Sequence, residues 1–197
     1  MCSSDLGESK KIHVIMATAG ETQLLARLSD PRQRREAFAD VVRTYGESLY
    51  WKIRHIVLVH EDADDVLQNV FVKAWRSIDD FHGNSRLSTW LYRIAINESL
   101  DFIRRHKRDM VMGMSGDESV ANRLVGDEYF DGDRAEVLLQ EAIASLPEVQ
   151  KVVFSLRYYD DMKYSEISSM LGTSEGALKA SYHLAVKKIR AYLDNND

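Results

Sequence analysis

The chain has 197 residues, with 31 acidic side chains against 26 lysines and arginines and a formal net charge of −5. This length is typical of one large domain or two small ones, and 45% hydrophobic residues are enough for packed cores. A single cysteine, Cys2, excludes a disulfide framework or a cysteine-rich zinc site, and no apolar run is long enough to span a membrane. We therefore expect a cytoplasmic protein without direct membrane insertion.

Hydrophobic periodicity predicts helices along most of the chain and no convincing strand. Asp30 before Pro31 is a capping residue followed by a first-turn proline, which predicts a helix that runs to about Val59. Glu61 and Asp62 open a second predicted helix with acidic side chains in its first turn. Its inner face is expected to carry Val66, Leu67, Val70, Phe71, Ala74 and Trp75.

A turn-forming loop at residues 81–86 follows, and Ser88 is predicted to cap a long helix that reaches about Lys107. These helices are expected to form an N-terminal bundle over residues 30–108. From residue 109 to 132 the periodicity fails, and the mixture of Gly, Met and acidic residues predicts a flexible acidic linker.

Residues 1–29 are an N-terminal extension to this predicted bundle. One hypothesis is that residues 1–15 are not native, because Cys2 to Leu6 is what a common sequencing adapter encodes in one frame. Met16 is then the candidate start of the natural chain.

The last part of the chain, residues 133–197, predicts a helix-turn-helix domain. Asp133 has capping-box spacing to Glu136, and Pro147 suits the first position of a helix. That helix is expected to turn these apolar residues inward: Val149, Val152, Val153 and Leu156. Gly172 ends a short amphipathic stretch, where glycine adopts a left-handed conformation at little cost.

The final helix, which Thr173 or Ser174 can cap, is basic. Its cationic side chains are Lys179, Lys187, Lys188 and Arg190. Two short helices around a tight glycine turn, with the second one basic, form the geometry that places a helix in the DNA major groove. The alternative at this point is a helical hairpin that only packs.

Charge is unevenly distributed along the chain. Residues 104–108 form a basic run, and the acidic side chains collect after it: Asp117, Glu118, Asp127, Glu128, Asp131, Asp133 and Glu136. Because local patches decide phosphate contact within a Debye length, an acidic total does not exclude nucleic acid. The acidic net charge predicts that the free chain binds DNA weakly and needs a partner.

One side of the predicted helix after Ser88 combines an aromatic ring, arginines and an amide. These residues step by three or four positions: Trp90, Arg93, Asn97, Asp101, Arg104 and Arg108. An aromatic ring stacks unpaired bases, guanidinium groups hold phosphates, and an amide reads a base edge. The pattern predicts a platform for single-stranded DNA, although Trp90 taken alone is more often a core residue.

Three stretches together resemble the extracytoplasmic-function (ECF) sigma factors of the sigma-seventy family. Residues 62–75 are similar to region 2.2 of that family, residues 81–85 with 88–97 to regions 2.3 and 2.4, and residues 145–159 with 164–167 to region 4. They stand in the family's order and spacing over about residues 36–193. The resemblance implies an all-α fold, in which a region 2 bundle is joined by the linker to a region 4 helix-turn-helix.

The resemblance also implies a function and its contact residues. A sigma factor binds core RNA polymerase and directs promoter recognition, DNA melting and transcription initiation. Region 2.2 docks on the clamp helices of the largest polymerase subunit, which implies the following polymerase-binding residues: Asp64, Asp65, Gln68 and Asn69.

Two sets of DNA contacts follow in the same way. The loop and the helix after it would capture an unpaired base of the minus-ten element, through His82, Asn84, Ser85, Arg86, Trp90, Arg93, Asn97 and Arg104. The last helix would read the minus-thirty-five element through Glu175, Lys179, Tyr182, His183 and Lys187. Here the chain departs from its relatives, which often carry arginines where Ser181 and Leu184 stand.

Signals of an enzyme are missing from the sequence. The histidines are scattered, His55 and His60 form no metal motif, and there is neither a Gly-rich phosphate loop nor a nucleophile elbow. We expect no catalytic residue, metal or cofactor. The expected partners are core RNA polymerase, promoter DNA and an anti-sigma factor. Two alternatives remain open: a free-standing helix-turn-helix regulator with a helical dimerisation or sensor domain, and a protein-binding adaptor that antagonises a sigma factor.

Overall fold

The computed structural model describes residues 20–81, 85–112, 124 and 132–196. Within these residues the regular elements are helices and there is no strand, which confirms the all-α prediction. The helices are α1 (Arg34–Val57), α2 (His60–Arg76), α3 (Leu87–Val111), α4 (Arg134–Ala144), α5 (Glu148–Tyr158), α6 (Tyr164–Leu171) and α7 (Glu175–Asn196), with a 3-10 turn at Ile78–Asp80 and a helical segment at residues 20–29. The hypothesis about residues 1–15 and most of the predicted linker lie outside the described residues.

The first long helix begins later than its sequence signal. The Asp30 carboxylate accepts the backbone N–H of Arg32 at 2.9 Å and closes a local turn, so that α1 begins only at Arg34. A short acidic side chain that bonds its own backbone two residues on stabilises a turn in competition with a helix. Asp30 therefore joins the segment at residues 20–29 to α1 instead of capping α1 itself.

The helical segment at residues 20–29 is part of the N-terminal bundle. Leu28 is buried in the core, and Arg27 pairs with Asp40 of α1 at 2.7 Å. The Glu21 carboxylate accepts the backbone N–H of Leu87, the first residue of α3. The prediction that Ser88 caps this helix was wrong, because Ser88 lies inside its first turn and Glu21 satisfies the end.

Helices α1, α2 and α3 pack around one apolar core. Leu49 and Ile53 of α1, Val66 of α2 and Leu91 of α3 are fully or almost fully buried. Burial of one such side chain contributes about 1.5–3 kcal/mol. The predicted inner face of α2 needs one correction: Trp75 is 41% exposed and packs edge-on against Phe38 of α1 with ring centroids 5.0 Å apart.

Helix α5 is the centre of the C-terminal domain. Residues 151–156 are all buried, because α5 packs against α7 on one side and against α1 and α3 on another. A helix that is covered all round has no solvent face along its middle turns. Two sequence predictions change as a result: Val149 is 47% exposed, and Lys151 is buried instead.

The predicted helix-turn-helix is confirmed. Gly172 ends α6 in the left-handed conformation with φ 63°, and Ser174 Oγ accepts the N–H of Ala177 at 3.3 Å at the start of α7. At the other end of α6, Glu166 accepts the Lys163 N–H at 2.9 Å. The turn that sets the angle between α6 and α7 is therefore held by backbone conformation and local capping.

Alanine substitutions at Gly172, which ends α6, and at Gly176, in the first turn of α7, are expected to have opposite effects. A Cβ on Gly172 meets nothing within 4 Å, so Gly172→Ala costs only its left-handed φ, about 1–2 kcal/mol of unfolding free energy. Gly176 lies inside α7 with equally open space, so Gly176→Ala should raise the unfolding free energy by about 0.5–1 kcal/mol. Chemical denaturation measures both, and equal effects would contradict the turn described above.

Candidate functional site

The outward face of α2 carries the predicted polymerase-binding residues. Val66 and Val70 are buried on the inner side of the helix, whereas Asp65, Gln68 and Asn69 are exposed on the outer side. The predicted contact Asp64 is half-buried, and its carboxylate lies 3.4 Å from Nε2 of His60. Three of the four predicted residues therefore share one accessible face, while Asp64 lies at its edge.

The sequence did not show that α3 contributes to this surface. Asp65, Gln68 and Asn69 line a shallow groove of about 390 Å³ whose other wall is formed by Phe102, Arg105, His106 and Asp109. Val72, which follows Gln68 by one turn of α2, is 48% exposed and extends the same face with an apolar side chain. The groove is thus lined by charges of both signs, and an exposed valine lies on the same face of α2.

The predicted DNA platform is an exposed side of α3. Arg93, Asn97 and Arg104 are exposed along it, and Ser85 and Arg86 are exposed just before the helix. His82 and Asn84 lie outside the described residues. This side of the helix is therefore accessible over several turns.

Trp90 differs from the other members of the platform. Its ring lies 5.2 Å from that of Phe81 and packs against the bundle core, which leaves it half-buried. The ring is fixed by this packing and still reaches the surface. The packing agrees with the core interpretation of Trp90, and the platform interpretation stays a prediction.

The basic end of α3 faces the C-terminal domain. Arg104 donates from Nε to Oε2 of Glu148 at 3.1 Å, and its Nη1 lies 3.5 Å from a carboxylate oxygen of Asp101. A cavity of about 760 Å³ opens beside this pair and is lined by Glu98, Asp101, Arg104, Arg105, Lys107, Arg108, Met112 and Glu148. A predicted DNA contact, Arg104, is therefore engaged by a carboxylate of the other domain.

Helix α7 exposes most of the residues predicted to read DNA. Glu175, Lys179, His183 and Lys187 are exposed. Lys179 Nζ lies 3.7 Å from Oε2 of Glu175 and 5.6 Å from the centroid of the Tyr164 ring, which limits where the ammonium group can point. The arrangement gives α7 a charged outer surface near its N-terminus.

Tyr182 is less exposed than these residues. Its ring is half-buried, stacked on Phe154 with centroids 5.9 Å apart, and edge-on to Tyr164. Because its ring packs between α5 and α6, Tyr182 offers less of its side chain to DNA than the other predicted contacts, and its role stays a prediction. Leu184, where relatives often carry arginine, is 46% exposed.

Among the residues that the structure describes, no group of three His, Cys, Asp or Glu side chains could hold a metal ion. None of the helices described above is long and apolar enough to cross a membrane.

Comparison with known proteins identifies the family. Residues 41–109 match the Sigma-70 region 2 family, and residues 136–189 match Sigma-70, region 4. The chain is 33% identical over 168 residues to the ECF RNA polymerase sigma factor SigW of Bacillus subtilis. The matched region covers 80% of this chain and 89% of SigW. The order of the two matched regions is the order of the two domains described above.

Two solved structures share the fold. CnrH in complex with the cytosolic domain of CnrY superposes with a TM-score of 0.61 at 24% identity, covering 90% of this chain and 99% of CnrH. The sigma factor RpoE in complex with the anti-sigma factor NepR from Bartonella quintana gives a TM-score of 0.59 at 20% identity, covering 80% and 96% of the two chains.

The chain belongs to the ECF sigma factors of the sigma-70 family. It binds core RNA polymerase and directs promoter recognition, DNA melting and transcription initiation. The free-standing regulator is not favoured, because both sigma regions are present in order and SigW is matched over most of its length. The chain is thus a transcription initiation factor.

Proposed function

We propose that three separate helix faces each carry out one binding function of this sigma factor. The outward face of α2 binds core polymerase, the exposed side of α3 holds the melted minus-ten element, and the first half of α7 reads the minus-thirty-five element. The observation that carries the proposal is that Arg93, Asn97 and Arg104 are exposed along one side of α3.

The polymerase contact is argued from the chemistry of the α2 face. Asp65 offers a carboxylate, and Gln68 and Asn69 offer amides that both donate and accept hydrogen bonds. The groove beside them adds the guanidinium of Arg105 from α3. A clamp surface with basic and polar side chains complements this face, and we propose that Asp65 and Gln68 make the principal contacts.

The minus-ten contact is argued from the geometry of α3. Trp90 presents a ring that is held by Phe81, so a base can stack on it without the ring first having to be ordered. Arg93 lies one turn further on and can hold a phosphate, and Asn97 can read a base edge. Stacking, phosphate neutralisation and an amide on one side of a helix favour single-stranded over duplex DNA.

The minus-thirty-five contact is argued from the position of each charged residue on α7. Residues near the start of a recognition helix reach base edges, whereas later ones meet phosphates. Glu175 can accept from a cytosine amino group, and Lys179 can donate to guanine. Lys187 lies two turns beyond Lys179 and is assigned to phosphate.

Two lysine variants test this division. Lys179→Ala should change which upstream elements are preferred, with about 1–3 kcal/mol lost at the base it contacts. Lys187→Ala should weaken all promoters similarly and lower the slope of the salt dependence by about one. Both variants, combined with core polymerase, are used to select promoters from a library with a randomised upstream element. Identical preferences for Lys179→Ala and the unmodified chain would remove Lys179 from the set of base contacts.

The proposed mechanism also bears on the partners and the cellular location of this sigma factor. Because RNA synthesis is catalysed by the polymerase, we propose that the sigma factor needs no catalytic residue or cofactor of its own, and that it works in the cytoplasm with the polymerase. RpoE, a structural relative, was solved with an anti-sigma factor, which supports an anti-sigma partner for this chain as well. Run-off transcription with purified core polymerase, with and without the chain, tests the proposal directly.

A further inference from the structure

Polar contacts connect the helical segment at residues 20–29 to both sides of the loop that precedes α3. Before the loop, Arg34 donates from Nη1 and Nη2 to the two carboxylate oxygens of Asp79 at 3.1 and 2.6 Å. The same guanidinium donates from Nε to the backbone carbonyl of Leu28 at 2.9 Å. Because two parallel hydrogen bonds to a carboxylate fix orientation as well as distance, Arg34 holds the 3-10 turn at a set position relative to the segment.

After the loop, the contact comes from Glu21. Its carboxylate accepts the backbone N–H of Leu87, the first residue of α3. The hydrogen-bond ladder of α3 begins with the Trp90 N–H, which donates to the Arg86 carbonyl at 3.2 Å. The N–H of Leu87 has no acceptor within the helix, so Glu21 supplies one across 66 residues of sequence. A carboxylate also has the favourable charge for this end of a helix.

Apolar packing places the segment against the same region. Leu28 is 3% exposed and belongs to the bundle core, and Leu24 and Leu25 pack against that core. Leu25 and Leu28 also line a cleft of about 330 Å³ together with Phe81. The Phe81 ring is the one that packs on Trp90. The segment is therefore fixed in the bundle and adjoins the ring that orients Trp90.

We propose that this segment positions the residues that read the minus-ten element, and we call the following residues the N-terminal brace: Glu21, Leu28, Arg34 and Asp79. The inference rests on the proposed function, which assigns one side of α3 to melted DNA. Arg86, a predicted minus-ten contact, stands directly before Leu87, and Trp90 follows Leu87 by about one turn. The brace thus fixes the start of the helix that presents both side chains.

Positioning and simple stabilisation of the fold have different consequences for DNA binding. Hydrogen bonds to a base edge weaken steeply with misalignment, whereas attraction to phosphates depends on charge and tolerates small displacements. Loss of the brace should therefore reduce discrimination between bases and leave sequence-independent affinity intact. A contact that only stabilised the bundle would lower the thermal midpoint without changing the base preference of the folded chain.

Glu21→Ala and Asp79→Ala each remove one side of the brace. Glu21→Gln is the conservative variant, because its amide oxygen can still accept the N–H of Leu87. Two exposed residues give matched controls: Gln23→Ala truncates a side chain of the same segment, and Asp80→Ala removes an equal charge from the same 3-10 turn.

Base discrimination is measured with the full chain bound to core polymerase. Each complex is titrated with two single strands, one with the minus-ten element of a promoter selected as above and one with a single base of that element replaced. The ratio of the two dissociation constants gives the discrimination. Hydrogen exchange at the Leu87 amide of the free chain follows the Glu21 contact itself.

Glu21→Ala and Asp79→Ala should each lower this ratio about fivefold, the change that corresponds to loss of one helix cap, and leave the affinity for the altered strand unchanged. The Leu87 amide should exchange faster in Glu21→Ala. Glu21→Gln and both controls should keep the ratio of the unmodified chain. An unchanged ratio in both brace variants would overturn the proposal, and so would an equal fall in the two controls.

Asn97→Ala in the same titration separates this inference from the proposed function. If Asn97→Ala lowers the ratio while the brace variants do not, the brace fails and the α3 platform stands. If the brace variants lower the ratio while Asn97→Ala does not, the brace stands and the assignment of Asn97 to a base edge fails.

Discussion

Asp65→Arg is expected to abolish the association of this sigma factor with core polymerase while the chain remains folded. Asp65 is exposed on the outward face of α2, and the apolar side chains that hold the helix in the bundle lie on its other side. In the proposed contact Asp65 faces a basic clamp surface, and reversal of its charge would leave the partner charge buried and unpaired, which costs about 2–5 kcal/mol. This corresponds to a loss of affinity of roughly 30-fold to several thousand-fold.

Pull-down of core polymerase, together with circular dichroism of the free variant, measures this effect. Glu36→Arg is a suitable control, because it makes the same charge reversal on α1 at a side chain that is 80% exposed. The control should bind polymerase as the unmodified chain does. Normal pull-down by a helical Asp65→Arg chain would remove the α2 face from the polymerase contact.

Loss of the Trp90 ring is expected to impair promoter opening more than promoter binding. Stacking of one base on an aromatic side chain contributes about 1–3 kcal/mol, so Trp90→Ala should slow open-complex formation about 5- to 150-fold. The defect should disappear on a template that is already melted around the minus-ten element. Asn97→Ala should show the same pattern, and its exposed side chain makes no contribution to the core.

The packing of Trp90 on Phe81 makes a second measurement necessary. Trp90→Ala also removes part of the bundle core, so some loss of thermal stability is expected. Trp51→Ala is the control for general loss of an aromatic ring, since that ring is 48% exposed on α1. A chain whose thermal midpoint collapses, and whose defect persists on pre-melted DNA, would return Trp90 to a purely structural role.

The sequence alone predicted the local elements of this protein well. Glycine at position 172 and hydroxyl groups at 173 and 174 indicated the turn between α6 and α7, because the conformational freedom of glycine and side-chain capping depend on neighbouring residues. The spacing of Val66, Val70 and Ala74 indicated which side of α2 is buried. The family motifs indicated the sigma-factor function, since these signals are contained in short continuous stretches.

The sequence could not predict the burial and packing of residues whose neighbours come from distant parts of the chain. The spacing of apolar residues in α2 predicted that Trp75 faces the core, but its ring packs against Phe38 of α1 at the surface. Tyr182 has the spacing predicted for a DNA contact, and its stacking on Phe154 from α5 is a contact that periodicity does not show.

The closure of one domain on the other was determined only by the tertiary structure. Ser155 meets His55 across 100 residues of sequence, and Arg104 meets Glu148 across 44. Periodicity identifies which side of a helix is apolar, but α5 is covered on its polar side as well, so Lys151 is buried while Val149 is exposed. The sequence by itself thus determined the helices, the turn and the family. The tertiary structure decided which polar faces meet, because that depends on the shape and charge of surfaces far apart in the chain.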